Sequence, residues 1–279
     1  MKKFLAIALA AIMLFSLAAC STAEAVGVKL IEINLSDEEY AFGVDKNQPE
    51  LLAETNTFIA KILEDGTFDS ICNNYFGDGT PVGVTSAELD AEKDQLVVAT
   101  NAEFAPFEYV ENDLYYGIDM EIAALLAKEL EKELVIVNMD FDSVCLNVGE
   151  GKCDIAMAGL TVSEKRKEVV TFTDSYYSAS QQIIVTEDDT RFDACTDLAS
   201  VEAVLAELAE GTKIGAQTGT TGQAYIEGSE DFGFAGIANA TCSTYDSGAL
   251  ATQDLLNGNV DFVIIDAAPA AAIVKSVNG

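Results

Sequence analysis

Apolar runs of strand length recur along the chain, separated by stretches with helical periodicity. LVVATN (96–101), ELVIVNM (133–139), CDIAMAGL (153–160), QQIIVT (181–186), TKIGAQ (212–217) and NVDFVIID (259–266) read as buried strands. MEIAALLAKELEK (120–132), LASVEAVLAEL (198–208) and LATQDLLN (250–257) read as amphipathic helices, and SEKRKEVV (163–170) as another with Ser163 as its N-cap. The alternation predicts an α/β fold with mainly parallel strands in two sheets.

The first 20 residues, MKKFLAIALAAIMLFSLAAC, break this pattern: two lysines, then an apolar run to Ala19, then Cys20. That layout is a secretory signal and predicts an extracytoplasmic protein. LAAC resembles the lipobox of bacterial lipoproteins, so Cys20 is the expected lipidation site and anchor to the cell membrane; cleavage near residues 23–25 is the alternative. No other stretch reads as a membrane span.

Composition narrows the chemistry. With 279 residues, 49% of them hydrophobic and 22% charged, the chain can bury one large or two modest cores. A formal charge of −32 argues against nucleic acid and against charge-driven membrane binding. There is no histidine, so imidazole bases, Ser-His-Asp systems and HExxH zinc sites are excluded. CxxC pairs and phosphate-binding GxxxxGK[ST] loops are absent too. Beyond Cys20 the cysteines are Cys72, Cys145, Cys153, Cys195 and Cys242, an odd set that fits no disulfide framework or metal cluster. Most read as small buried residues, with Cys195–Cys242 the favoured bridge.

The chain has two arginines, Arg166 and Arg191. Arg166 follows the strand CDIAMAGL and a short polar turn, at the carboxyl end of a strand, where open α/β sheets build ligand sites. A guanidinium there can take a carboxylate through two parallel hydrogen bonds. The competing reading is a surface arginine paired with Glu164 or Glu168. KIGAQTGTTGQAYI repeats the strand–turn–helix layout and offers the Thr221 N–H as a second anion donor, although GTTG is also an ordinary tight turn.

Five segments in order carry a resemblance: ATNAEFAPFEY (99–109), GIDMEIA (117–123), KCDIAMAGLTVSEKRKEVVTFTDSYY (152–177), GAQTGTTG (215–222) and NGNVDFVIID (257–266). They resemble the signatures of polar amino-acid-binding proteins of ABC importers, solute-binding protein family 3, which includes glutamine-, histidine- and lysine/arginine/ornithine-binding proteins. The resemblance implies a type II periplasmic-binding-protein fold: two α/β lobes, a two-stranded hinge and a ligand in the cleft. Position by position, it implies that Arg166 grips the ligand's α-carboxylate, helped by the N–H groups of Thr161 and Thr221. It places the ammonium among the Gly159 carbonyl, the Thr161 hydroxyl and Asp266. Phe104 and Phe141 would sandwich the side chain; plain core packing is the alternative for both rings. Leu160 and Thr220 are counted with the site, and Asp119 is read as a helix cap. Asn101, Gln217 and Ile265 stand where the glutamine-binding protein has an Asp, a Lys and a His. Those departures speak against glutamine, and Asn101 against a cationic side chain unless Glu103 compensates, leaving a neutral polar or small apolar amino acid. The resemblance implies no catalytic residue, cofactor or metal.

Residues 35–76 resemble the segment that closes this family's chain, yet they precede its beginning. The expected architecture is therefore a circular permutation. GVKLIEI (27–33) supplies the strand that would follow Gly279, and 77–95 is a solvated linker between the old end and the old start. The large lobe would be 36–180, and the small lobe 181–279 completed by 27–35. The expected function is a lipid-anchored, monomeric receptor that delivers a free L-amino acid to an ABC permease and its ATPase. Three rivals remain: an enzyme resembling cyclohexadienyl dehydratase, a sensor domain, which would need a downstream signalling segment, and a dimer that swaps the N-terminal segment.

Overall fold

The computed structural model describes residues 27–279. The signal sequence and Cys20 lie outside the described residues.

Two five-stranded sheets organise the chain. One contains β1 (Val28–Ile31), β12 (Gln181–Thr186), β15 (Phe262–Asp266), β13 (Thr212–Gln217) and β14 (Ala240–Tyr245), in that order. The other runs β10 (Val170–Phe172), β3 (Gly43–Asp45), β9 (Ile155–Ala156), β4 (Gln95–Thr100), β8 (Glu133–Asn138). A two-stranded antiparallel ribbon, β2 (Glu38–Tyr40) against β11 (Tyr177–Ala179), joins the two lobes.

The sheets are mixed, which corrects the expectation of mainly parallel strands. β13 pairs in parallel with β14 and β15, and β4 with β8 and β9. β1 with β12, β12 with β15, β3 with β9 and β10 with β3 are all antiparallel. The ribbon is the cause. A chain that enters a sheet from the ribbon meets strands that point toward it, so the crossing strands β3 and β12 run against their neighbours.

Helices cover both sheets. On the larger lobe these are α1 (Pro49–Glu64), α2 (Thr67–Phe76), α3 (Ile118–Glu129), α4 (Phe141–Gly149) and the single turn α5 (Glu164–Lys167). On the smaller lobe they are α6 (Leu198–Ala206), α7 (Thr221–Glu227), α8 (Gly248–Leu256) and α9 (Ala267–Asn278). The helix expected over SEKRKEVV stops at Lys167, because Val170 is drawn into the sheet opposite Asp45. Ser163 does cap it, its hydroxyl accepting from the Arg166 N–H at 3.2 Å. Periodicity missed a small meander of β5 (Glu103–Phe104), β6 (Glu108–Glu111) and β7 (Leu114–Tyr116). Its two-residue turn, Asn112–Asp113, takes left-handed φ values of 50° and 64°, the type I′ geometry that asparagine and aspartate tolerate.

Phe42, Ile59, Ile62, Leu96, Val98, Ile122 and Ile155 lie in the core of the larger lobe; Ile183, Val185, Val201, Ile214, Phe262 and Ile264 fill the smaller one. The expected Cys195–Cys242 bridge is not formed. Both cysteines are free and pack as small half-buried residues against the smaller core. The 77–95 stretch is mostly exposed but not loose. Val84 bridges Tyr115, the Ala87 N–H donates to Leu134 O at 2.9 Å, and the Val82 N–H donates to Glu121 at 3.0 Å. The same Glu121 carboxylate accepts from the Tyr75 hydroxyl at 2.6 Å. Asn278 holds Val28 through both its N–H and its carbonyl, so α9 is tied to β1.

Candidate functional site

The carboxyl ends of β9, β13 and β15 face one another between the lobes, and the turns that follow them carry the expected site residues. Gly159 sits just past β9 with a left-handed φ of 53°. A Cβ there would lie 2.9 Å from the Phe104 ring, so only glycine lets that ring close over the turn. The Gly159 N–H donates to Asp119 at 2.9 Å, and the Tyr176 hydroxyl donates to the same carboxylate at 2.7 Å. Asp119 is therefore a fully buried prop beneath the turn and not a helix cap, a correction to its sequence reading; α3 is preceded by Gly117 and has no side-chain cap. Burial raises the Asp119 pKa to about 7, against the opposing pull of those two hydrogen bonds.

Arg166 points back over α5 into the cleft. One terminal nitrogen donates to Thr161 O at 2.6 Å and the other to Gly219 O, in the opposite lobe, at 3.1 Å. The competing pairing with Glu164 or Glu168 is not formed: Glu164 bonds Lys167 instead. Phe141, at the start of α4, lies under the guanidinium with 5.3 Å from its ring centroid to the Arg166 carbon. Phe141 thus stacks on the arginine, while Phe104 covers Gly159 and Phe107. The rings line separate crevices, of about 420 Å³ beside Arg166 and about 360 Å³ beside Ile265 and Ser247.

Between these crevices runs a seam of polar contacts that cross from lobe to lobe. The Thr221 hydroxyl donates to Thr161 Oγ1 at 3.2 Å, and Gln217 Nε2 donates to Asn101 Oδ1 at 2.8 Å. Thr220 caps α7, its hydroxyl accepting from the Gln223 N–H, and Leu160 is buried behind the turn. Gln217 Oε1 is buried with no partner, the kind of orphan acceptor that a bound donor would satisfy. At the end of β15, Asp266 accepts from the Tyr40 hydroxyl at 2.5 Å. Burial, and then the neighbouring Glu38 charge, raise the Asp266 pKa to about 7. Sequence reasoning missed Glu38 and Tyr40. Their alternate spacing on a half-buried strand was the available signal, since residues 38 and 40 share one face.

Glu108 is buried with neither carboxylate oxygen partnered. Burial first, then the negative charges of Asp119 and Asp266, push its pKa well above the usual carboxylate range. No group of three or more potential metal-ligating side chains comes together among the described residues.

Residues 96–225 match the family model for bacterial extracellular solute-binding proteins, family 3. The chain is 30% identical over 198 residues to a putative ABC transporter arginine-binding protein 2 of Escherichia coli K12, covering 71% of each. This chain belongs to that family. It is also 34% identical over 109 residues to the arginine-binding extracellular protein ArtP of Bacillus subtilis, which covers 39% of this chain and 43% of that one. Among solved structures, the ancestral amino-acid-binding protein AncCDT-1, a precursor of cyclohexadienyl dehydratase, is similar with a TM-score of 0.56 and 29% identity, over 66% of this chain and 74% of that one. The ArtP match thus spans less than half of that relative's length. No helix among the described residues is long and apolar enough to cross a membrane.

Proposed function

We propose that this solute-binding protein takes one free L-amino acid between its lobes and delivers it to an ABC importer, without chemical turnover. The carrying observation is the convergence of Arg166, the Gly159–Thr161 turn and Asp266 at one interlobe seam. An amino-acid zwitterion needs a cation at one end and an anion at the other, and leaving either end unpaired in a buried site costs about 1–3 kcal/mol or more. Arg166 would exchange its two carbonyl partners for the α-carboxylate, joined by the N–H groups of Thr161 and Thr221. Asp266, the Gly159 carbonyl and the Thr161 hydroxyl would take the three ammonium protons. Phe141, Leu160 and Thr220 would wall the Arg166 side and Phe104 the Gly159 side, in place of the sandwich of two rings that the resemblance implies.

The side chain would meet Asn101 and Gln217. The buried, unpartnered Gln217 Oε1 favours a side chain that carries N–H donors over the small apolar one considered from sequence. A neutral polar side chain with N–H donors is the first candidate; arginine is the second, because two relatives are described as arginine-binding, and it would call on Glu103 to meet its charge. Closure around the ligand would follow from its contacts to both lobes.

The chain order supports a circular permutation. The family match begins at residue 96, yet β1, β2, β3, α1 and α2 precede it and supply one strand to each sheet and one to the ribbon. Cys20 is the proposed lipid anchor, and a monomer the proposed state. The test is to unfold the purified protein, identify any released amino acid by mass spectrometry and rebind it by calorimetry. Nanomolar to micromolar rebinding of one or a few amino acids is expected; a protein that neither carries nor rebinds any of the twenty overturns the reading, and conversion of prephenate would place the chain with the dehydratases.

A further inference from the structure

Glu38 is an acidic side chain of the seam that the amino-acid clamp leaves without a role. It lies on β2, in the ribbon between the lobes, and is only 7% exposed. Its carboxylate accepts three hydrogen bonds, all from neutral donors: Ser36 Oγ at 2.6 Å and Gln181 Nε2 at 3.0 Å on one oxygen, Thr161 Oγ1 at 2.7 Å on the other. No ion pair reaches it among the described residues. Thr161 belongs to the larger lobe and Gln181 opens β12 of the smaller one, so this carboxylate touches both lobes at their junction.

The bond to Thr161 has a direct chemical consequence. A hydroxyl has one proton and two lone pairs. Glu38 takes the Thr161 proton, so Thr161 Oγ1 faces the cleft as an acceptor, at present filled by the Thr221 hydroxyl. An ammonium needs acceptors. Without Glu38 the Thr161 hydroxyl is free to rotate its proton toward the cleft, where it would oppose a cation.

We propose that Glu38 is a positioning residue of the ammonium seat: it orients Thr161 Oγ1 as an acceptor and adds a second carboxylate facing Asp266, which makes the seat selective for a primary ammonium. This inference rests on the amino-acid-binding reading above. Two buried carboxylates, Glu38 and Asp266, face this space from the ribbon and from β15, with the Tyr40 hydroxyl on Asp266 and Glu108 beyond it. Arg166 is directed at the Thr161 carbonyl on the other side. Two buried carboxylates with hydrogen-bond donors but no cation beside them are costly to ionise together, and a ligand cation offsets that cost. The seat therefore rewards the ammonium specifically, and a ligand that lacks it should gain nothing from Glu38.

Glu38→Gln tests this at constant shape. The amide would donate to Thr161 Oγ1 in place of accepting from it, which turns the hydroxyl proton toward the ligand. The full mature chain is titrated with the twenty common L-amino acids and, for the tightest binder, with the same acid lacking its α-amino group. Weak binding of the latter is read from the thermal midpoint. The expected result is a loss of roughly tenfold or more in affinity for the amino acid and no change for the desamino acid, the scale of a charge-assisted hydrogen bond. Thr161→Val should show the same selective loss, and serves as the readout should Glu38→Gln not fold. The double variant should be no weaker than the weaker single one, because both act on one hydroxyl. Equal losses for both ligands would make Glu38 a structural hinge residue and overturn the proposal, as would unchanged affinity for both. A wild-type chain that binds none of the twenty overturns the amino-acid reading itself, and the proposal with it.

Discussion

The hydroxyl of Tyr40, on the interlobe ribbon, donates to the carboxylate of Asp266, at the end of a strand in the smaller lobe. Both side chains are buried, Tyr40 completely and Asp266 to 4% exposure. The group proposed to receive the ligand's ammonium is thus held by a tyrosine in this closed arrangement. Burial, followed by the Asp266 charge, raises the Tyr40 pKa well above its usual value, so the phenol stays protonated and remains a donor.

Tyr40→Phe removes that donor without changing ring packing. Above the Asp266 pKa of about 7 the variant leaves a buried carboxylate short of a partner, and should lose about 1–3 kcal/mol of stability at pH 8. Below that value Asp266 is protonated, needs the donor less, and the deficit should shrink. Denaturant unfolding of both proteins at pH 5.5 and pH 8 measures the two differences; an equal deficit at both would mean the hydroxyl does not stabilise the ionised form.

Glu108 gives a pH dependence of its own. Its folded pKa lies above the unfolded value of about 4.3, so the native state binds more protons and stability falls as pH rises from there toward the folded pKa. Asp119 and Asp266 act with the same sign up to about pH 7. Glu108→Gln deletes one of these contributions. The variant should come closest to the wild type at pH 4 and below and exceed it by about 1–3 kcal/mol at pH 8, the scale of an unsatisfied buried group. A variant that is less stable at pH 8 would show that the carboxylate has a partner there.

Much of this architecture was legible in the sequence, and the failures have physical causes. Apolar runs marked β4, β8, β12, β13 and β15 because strands covered on both faces cannot avoid them. Strand direction was not legible: nothing in QQIIVT says that it arrives from a ribbon and must run against β15. The meander was too short to show a period, and the position of Asp119 at the opening of α3 hid the fact that it points down into the turn at Gly159. Motif order singles out Arg166, Thr161 and Asp266 as candidates. It misses Glu38 and Tyr40, since a three-residue strand carries little pattern and their partners lie more than a hundred residues away.

The proposed permutation predicts that chain order can be reversed without cost to the fold. Asn278 and Val28 already hold each other, while 77–95 is mostly exposed and contributes a single bridge, Val84 to Tyr115, and no full strand up to Asp94. A chain that joins Gly279 to Gly27 through a short linker and opens within 77–95 should fold with the same circular dichroism spectrum and bind the same amino acid within about threefold. Termini close together at the surface are what make such exchanges tolerable. Failure to fold would mean that the 77–95 connection is an integral part of the larger lobe.

If Arg166 holds the carboxylate of a free amino acid, its removal must cost binding. The most direct test is calorimetric titration of the mature chain with the twenty L-amino acids, beside Arg166→Ala. Among the described residues the Arg166 side chain makes two carbonyl contacts and one ring contact, so the variant should stay folded with a midpoint close to that of the wild type. Saturable binding of one or a few amino acids with polar side chains is expected, weakened about 100-fold or more in the variant, as when one partner of a desolvated charge pair is removed. Binding that survives the substitution unchanged would contradict that role for Arg166.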